Sequence, residues 1–141
     1  MFISVLVRRL KPGKTYDDFV DAWYPDKGFG FPGRGPILAR NVEDDREILA
    51  IGLIDLERDE LPATMERVAA QEAVRHDRIA DVIESTALRG IYEIEDEFDF
   101  SNDEAVSGGP GSPGEVSFGG PGEGVRRLEG YPWAAQLARR W

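Results

Sequence analysis

The 141 residues contain no cysteine. Disulfides, thiolate metal sites and thiol nucleophiles are therefore outside the chemistry open to this chain. A single histidine likewise excludes a multi-histidine metal site within one chain, and no metal is expected. Basic residues are few: 17 Lys and Arg stand against 27 Asp and Glu, a formal net charge of −10. A surface of that sign repels phosphate backbones and anionic lipid, so neither nucleic acid nor a membrane is expected as a partner. Long apolar runs are lacking too. The short run at 2–7 is followed at once by Arg8 and Arg9, too early for a signal peptide or a span. The expected setting is the cytoplasm. What remains is a chain 41% apolar and 31% charged, the composition of one folded acidic domain.

The composition changes near residue 101. Residues 107–124 hold eight Gly and three Pro in eighteen positions, too little side chain to offset the entropy of ordering them. The expected organisation is a domain at 1–100, a Gly/Pro-rich linker at 101–124 and a short amphipathic segment at 125–141. Residues 1–100 carry 13 bases and 22 acids, so the acidity belongs to the folded body.

Along the body, Ile3, Val5 and Val7 alternate with Phe2, Ser4, Leu6 and Arg8, which is a strand apolar on both faces. Lys11, Pro12 and Gly13 make a turn. Thr15 with Asp18 three residues on predicts a capped helix, whose stripe is Tyr16, Phe19, Val20 and Trp23. Residues 28–36 are expected to be a loop, and 37–42 and 48–56 strands. The latter is apolar on both faces. A second helix is expected after Asp59 as cap and Pro62 in its first turn. Its stripe runs from Met65 through Val68, Ala69, Glu72, Ala73, His76 and Ile79 to Ile83, with a bend near His76 and a stop at Gly90. Tyr92, Ile94, Phe98 and Phe100 mark a fourth strand, along which Glu93, Glu95, Glu97 and Asp99 form a charged edge.

The order βαββαβ predicts an α+β, ferredoxin-like domain: a four-stranded antiparallel sheet with both helices on one face. The two doubly apolar strands would be central. One of their faces has no cover within the chain, so a homodimer with sheets packed face to face is expected.

This order, together with the run Glu72, Ala73, Val74, Arg75, His76 on the second helix, resembles the dimeric α/β-barrel superfamily, in particular the antibiotic-biosynthesis-monooxygenase-like proteins and related haem-degrading enzymes. The resemblance covers residues 1–100. It implies a His facing a cavity between helices and sheet. The haem-degrading members pair that His with an Asn on the first strand and a Trp near the second helix. Neither is present here, so no cofactor is expected.

Two residues are candidates for catalysis. His76 is the only side chain whose ordinary pKa lies near neutrality, and Glu72, four residues back, can orient it. The alternative for His76 is an ion pair on the helix surface. Trp23 and Phe31 are candidates for the wall of an apolar pocket, or else core and dimer contacts. Arg40 and Tyr92 are candidates for holding a substrate oxygen. At the C-terminus Trp133, Leu137 and Trp141 recur at helical spacing, a stripe too short to be stable alone in water.

Two functions stay open. One is a small-molecule-binding protein resembling cofactor-independent monooxygenases, with His76 as base towards an apolar or aromatic ligand. The other is a non-catalytic dimeric binding or regulatory module whose aromatic C-terminal segment engages a protein partner.

Overall fold

Nine residues from Phe2 to Leu10 form the first strand, β1, and every other element is placed by it. In the computed structural model, which describes residues 1–30, 32–100, 126–128 and 130, the elements follow in a simple order. After β1 come helix α1 (Tyr16–Trp23), strands β2 (Gly33–Arg40) and β3 (Glu47–Ile54), a 3-10 turn (Arg58–Glu60), helix α2 (Leu61–Ala80) and strand β4 (Ile83–Glu93). Two short strands, β5 (Glu97–Asp99) and β6 (Arg126–Leu128), pair with each other in a separate ribbon. The main sheet has the order β2-β3-β1-β4 and is antiparallel throughout. That is the ferredoxin-like α+β arrangement expected from the pattern.

The capping of α1 is as the sequence implies. The Asp18 amide donates to Thr15 Oγ1 at 3.1 Å, and the Thr15 amide donates to Asp18 Oδ2 at 2.8 Å, which satisfies two orphan donors of the first turn. Phe19 on α1, Ile79 on α2, Leu10 on β1, Ile48 on β3 and Val82 then bury together. A cluster shared by both helices and the two central strands puts both helices on one face. Phe2, Ala50, Ile54 and Val68 are also buried, and Phe2 lies opposite Ile54.

Several boundaries differ from expectation. α2 runs unbroken through His76 and stops at Ala80, with Asp81 as its C-cap. Gly90 is inside a strand, and Ile83 opens that strand instead of extending the helix. The reason is β1: its full length offers a ladder, so the β-branched residues after Asp81 pair there, Ile83 with Leu10 and onward to Glu93 with Phe2. Glu97 and Asp99 consequently sit on β5, and the four acids do not share one strand. Asp59 falls in the 3-10 turn, and α2 is entered from Glu60 with Pro62 in the first turn. β2 begins at Gly33, inside the expected loop. One extra residue is accommodated between Arg34 and Ile37, where the register against β3 shifts. Pro36, which has no N–H to donate, lies within that bulge. Gly33 itself is required: its φ is +155°, and a Cβ there would lie 2.1 Å from the Leu53 carbonyl oxygen.

Side chains paired across the sheet share a face. Ile3, Val5, Val7, Ile37, Leu49, Ile51, Leu53, Leu88 and Tyr92 are therefore on the face away from the helices. Ile37 is 58% exposed there and Tyr92 46%. The linker expected at 101–124, and Trp133, Leu137 and Trp141, lie outside the described residues. No helix among the described residues is long and apolar enough to cross a membrane.

Candidate functional site

Small residues meet in the middle of the helix-covered face. Ser4 on β1 lies opposite Gly52 on β3, and Leu6 lies opposite Ala50. Across from them α2 presents Ala69 and Ala73. Interiors are normally close-packed, but side chains this short cannot reach each other across the gap between sheet and helix. The result is a cavity of about 1050 Å³, floored by these residues and walled by Trp23, Phe29, Met65, Glu72, Arg75, His76 and Arg89. That volume would hold a drug-sized organic molecule.

One side of the cavity is the segment after α1, and α2 holds it by its side chains. Arg67 Nη1 donates to the Phe29 carbonyl at 2.9 Å, Gln71 Nε2 to that of Lys27 at 2.5 Å, Arg75 Nε to that of Trp23 at 2.8 Å, and Arg78 Nη2 to that of Tyr24 at 2.9 Å. Positions 67, 71, 75 and 78 lie one turn apart on one face of the helix. Each supplies a donor to a carbonyl that no strand or helix pairs, which is how a Gly- and Pro-containing segment acquires a fixed course. The Arg75 guanidinium also lies 5.2 Å from the Trp23 ring centroid and 5.4 Å from that of Phe29. Trp23 in turn stacks on Phe19.

Glu72 is the centre of the polar wall. One carboxylate oxygen, Oε1, accepts from Arg75 Nη1, and the other, Oε2, lies 3.2 Å from His76 Nε2. His76 is half-buried, and its pKa is held below the ordinary imidazole value. Burial is the main cause, and the charges of Arg89 and Arg8, then Arg75, add to it against the opposing pull of Glu72. The lowered pKa favours the neutral form of the imidazole. A neutral imidazole carries its proton on one nitrogen and accepts on the other, and Glu72 Oε2 lies beside Nε2.

The sequence-derived candidates separate. His76, Glu72 and Trp23 all line the cavity. Arg40 is not among the lining residues; its guanidinium lies 5.6 Å from the Tyr16 ring centroid on α1. Tyr92 pairs with Ile3 and faces the other side of the sheet. Phe31 lies outside the described residues. Arg8, Arg75 and Arg89 were not singled out by sequence reasoning. For Arg8 the signal existed, since the alternation of β1 puts it on the same face as Phe2 and Leu10. Among the described residues there is no cluster of three or more potential metal ligands.

No family model matches the chain, and no curated protein matches it. Among solved structures it is similar to a provisionally assigned antibiotic biosynthesis monooxygenase from Chloroflexus aurantiacus J-10-fl, with a TM-score of 0.47 and 12% identity over 67% of this chain and 93% of that one. A second, also provisionally assigned as an antibiotic biosynthesis monooxygenase, is from Nitrosomonas europaea, with a TM-score of 0.43 and 15% identity over 66% and 97% of the two chains. The likeness is one of fold. What the site does has to be argued from its own residues.

Proposed function

We propose that this protein binds a small aromatic molecule between its sheet and α2, and that His76 acts on it as a base. The observation that carries the reading is the cavity itself, about 1050 Å³ in volume, with the His76 imidazole and the Glu72 carboxylate side by side in the wall. An aromatic ring suits a cavity lined by Trp23 and Phe29 above the floor of Ser4, Leu6 and Ala50. A phenol or enol on that ring would give its proton to the basic nitrogen of His76, leaving the electron pair on the substrate oxygen. Molecular oxygen as co-substrate completes a cofactor-independent monooxygenation. A phenol with a free para position becomes a quinone, one oxygen atom enters the ring, and the other leaves as water with the phenolic and para hydrogens.

The apolar outer face of the sheet belongs to the same proposal. Ile3, Val5, Val7, Leu49 and Ile51 are only partly buried by the described residues of this chain, and a second copy packed sheet to sheet would cover them further. In such a dimer Tyr92 would be an interface residue.

The test uses 1-naphthol. Isothermal titration should detect its binding, and an oxygen electrode should record enzyme-dependent uptake that His76→Gln abolishes while binding persists. Binding without uptake in the native protein would replace the enzyme by a non-catalytic binding protein. No binding at all would remove the small-molecule reading.

A further inference from the structure

The wall of the cavity is charged in the opposite sense to the chain. The whole protein carries −10, yet among the described residues the only acid lining the cavity is Glu72, while Arg75 and Arg89 line it as cations. Glu72 is already committed, one oxygen to Arg75 and the other to His76. Arg89 has no ion-pair partner among the described residues. It lies opposite Leu6, which is part of the cavity floor.

Arg8 adds a second observation. It is the next inward-facing residue along β1 from Leu6, does not itself line the cavity, and is only 4% exposed. Among the described residues its Nε and Nη1 have no hydrogen-bond acceptor. Burial, with Arg75 and Arg89 nearby, works against its charge, and only Glu72 supports it. Proteins rarely bury a guanidinium without an anion or acceptor beside it. Among the described residues, Glu72 alone supplies a carboxylate that supports the charge of Arg8.

We propose that the cavity selects organic anions, specifically aromatic carboxylates, with the ring over the small-residue floor and the carboxylate held by Arg89 with Arg8 behind it. A planar carboxylate matches the paired donors of a guanidinium. The ligand would thus bring the counter-charge that the protein lacks at this end of the cavity. This inference rests on the cavity's being a small-molecule site, and its test separates the two.

Isothermal titration at pH 7.5 would compare 1-naphthoate with 1-naphthamide, which has nearly the same shape and no charge. Naphthoate is expected to bind at least about tenfold more tightly, a difference of about 1.4 kcal/mol. Arg89→Met and Arg8→Met should each weaken naphthoate binding far more than naphthamide binding, so that the preference is lost. Arg89 is exposed, so Arg89→Met decides the matter if Arg8→Met does not fold. Equal binding of the two probes, or a preference surviving in Arg89→Met, would overturn the anion proposal and leave the cavity reading intact. Failure of both probes to bind would overturn both.

Discussion

Arg75 grips Trp23 at two points: its Nε donates to the Trp23 carbonyl at 2.8 Å, and its guanidinium lies 5.2 Å from the indole centroid. One side chain thereby fixes both the backbone and the ring at the end of α1. It also neutralises Glu72, and its own side chain is only 7% exposed. Arg75→Met should keep the bulk and lose the rest, leaving a carbonyl and a carboxylate short of a partner. The expected cost is about 2–4 kcal/mol, read from urea unfolding, with a red shift of the Trp23 emission in a Trp133→Phe, Trp141→Phe background. An unchanged midpoint would mean that the grip is incidental.

His76 gives the stability a pH dependence of known sign. Its folded-state pKa is lowered, by burial first and then by Arg89 and Arg8, with Glu72 opposing and Arg75 assisting. The unfolded chain therefore takes up a proton near the ordinary value of about 6.5, before the folded protein does. Stability should be full above that pH and fall as the pH drops through it. His76→Gln should flatten the melting-temperature profile between about pH 5.5 and 7.5. Losses at more acid pH are a separate matter. They include Asp18 and Asp44, whose pKa values are lowered chiefly by backbone hydrogen bonds from Thr15 and Arg46.

The outer face of the sheet gives a prediction about mass. Ile51 has Val5 on one side and Ile37 on the other, so it is central to that face. Light scattering should give about 31 kDa, twice the chain's 15.7 kDa. Ile51→Glu should reduce the mass to that of one chain, because a carboxylate cannot be buried unpaired between two apolar sheets.

Gly33 tests the bulge. A Cβ placed 2.1 Å from the Leu53 carbonyl oxygen must displace backbone, and the positive φ of +155° is one that an alanine rarely adopts. Gly33→Ala should cost on the order of 2–3 kcal/mol and perturb the amide signals of Leu53 and Ile54 more than those of α1. Native-like signals at Leu53 would contradict the register described for β2.

The sequence made the architecture legible because its main signals are local. Alternation in β1 and β3, the Thr15–Asp18 cap and the α1 stripe each specify their own element. What it hid was set by distant partners. The end of α2 could not be placed from helical spacing, because Ile83 suits the helix stripe as well as the strand that β1 recruits. The acids from Glu93 to Asp99 read as one edge until β5 turns away to pair with β6. In the site, His76 and Glu72 are found from their four-residue spacing. Arg75, one position away from His76, reads as solvated polar surface because its partners, the Trp23 carbonyl and ring, are 52 residues back. Arg40 fails as a cavity residue for the same reason: its neighbour Tyr16 is a tertiary fact.

The opposition of Ser4 and Gly52 separates two properties that most binding sites entangle. A Cβ on Gly52 would meet nothing nearer than 4.0 Å, so that position can gain side-chain volume without moving the sheet. The guanidinium groups are further along β1 and β4. Changes at Ser4 and Gly52 would thus shorten the accepted ligand while its anchorage stayed as it was. Under the proposed function, those two adjacent positions would act as a gauge for ligand length that one substitution at a time could reset.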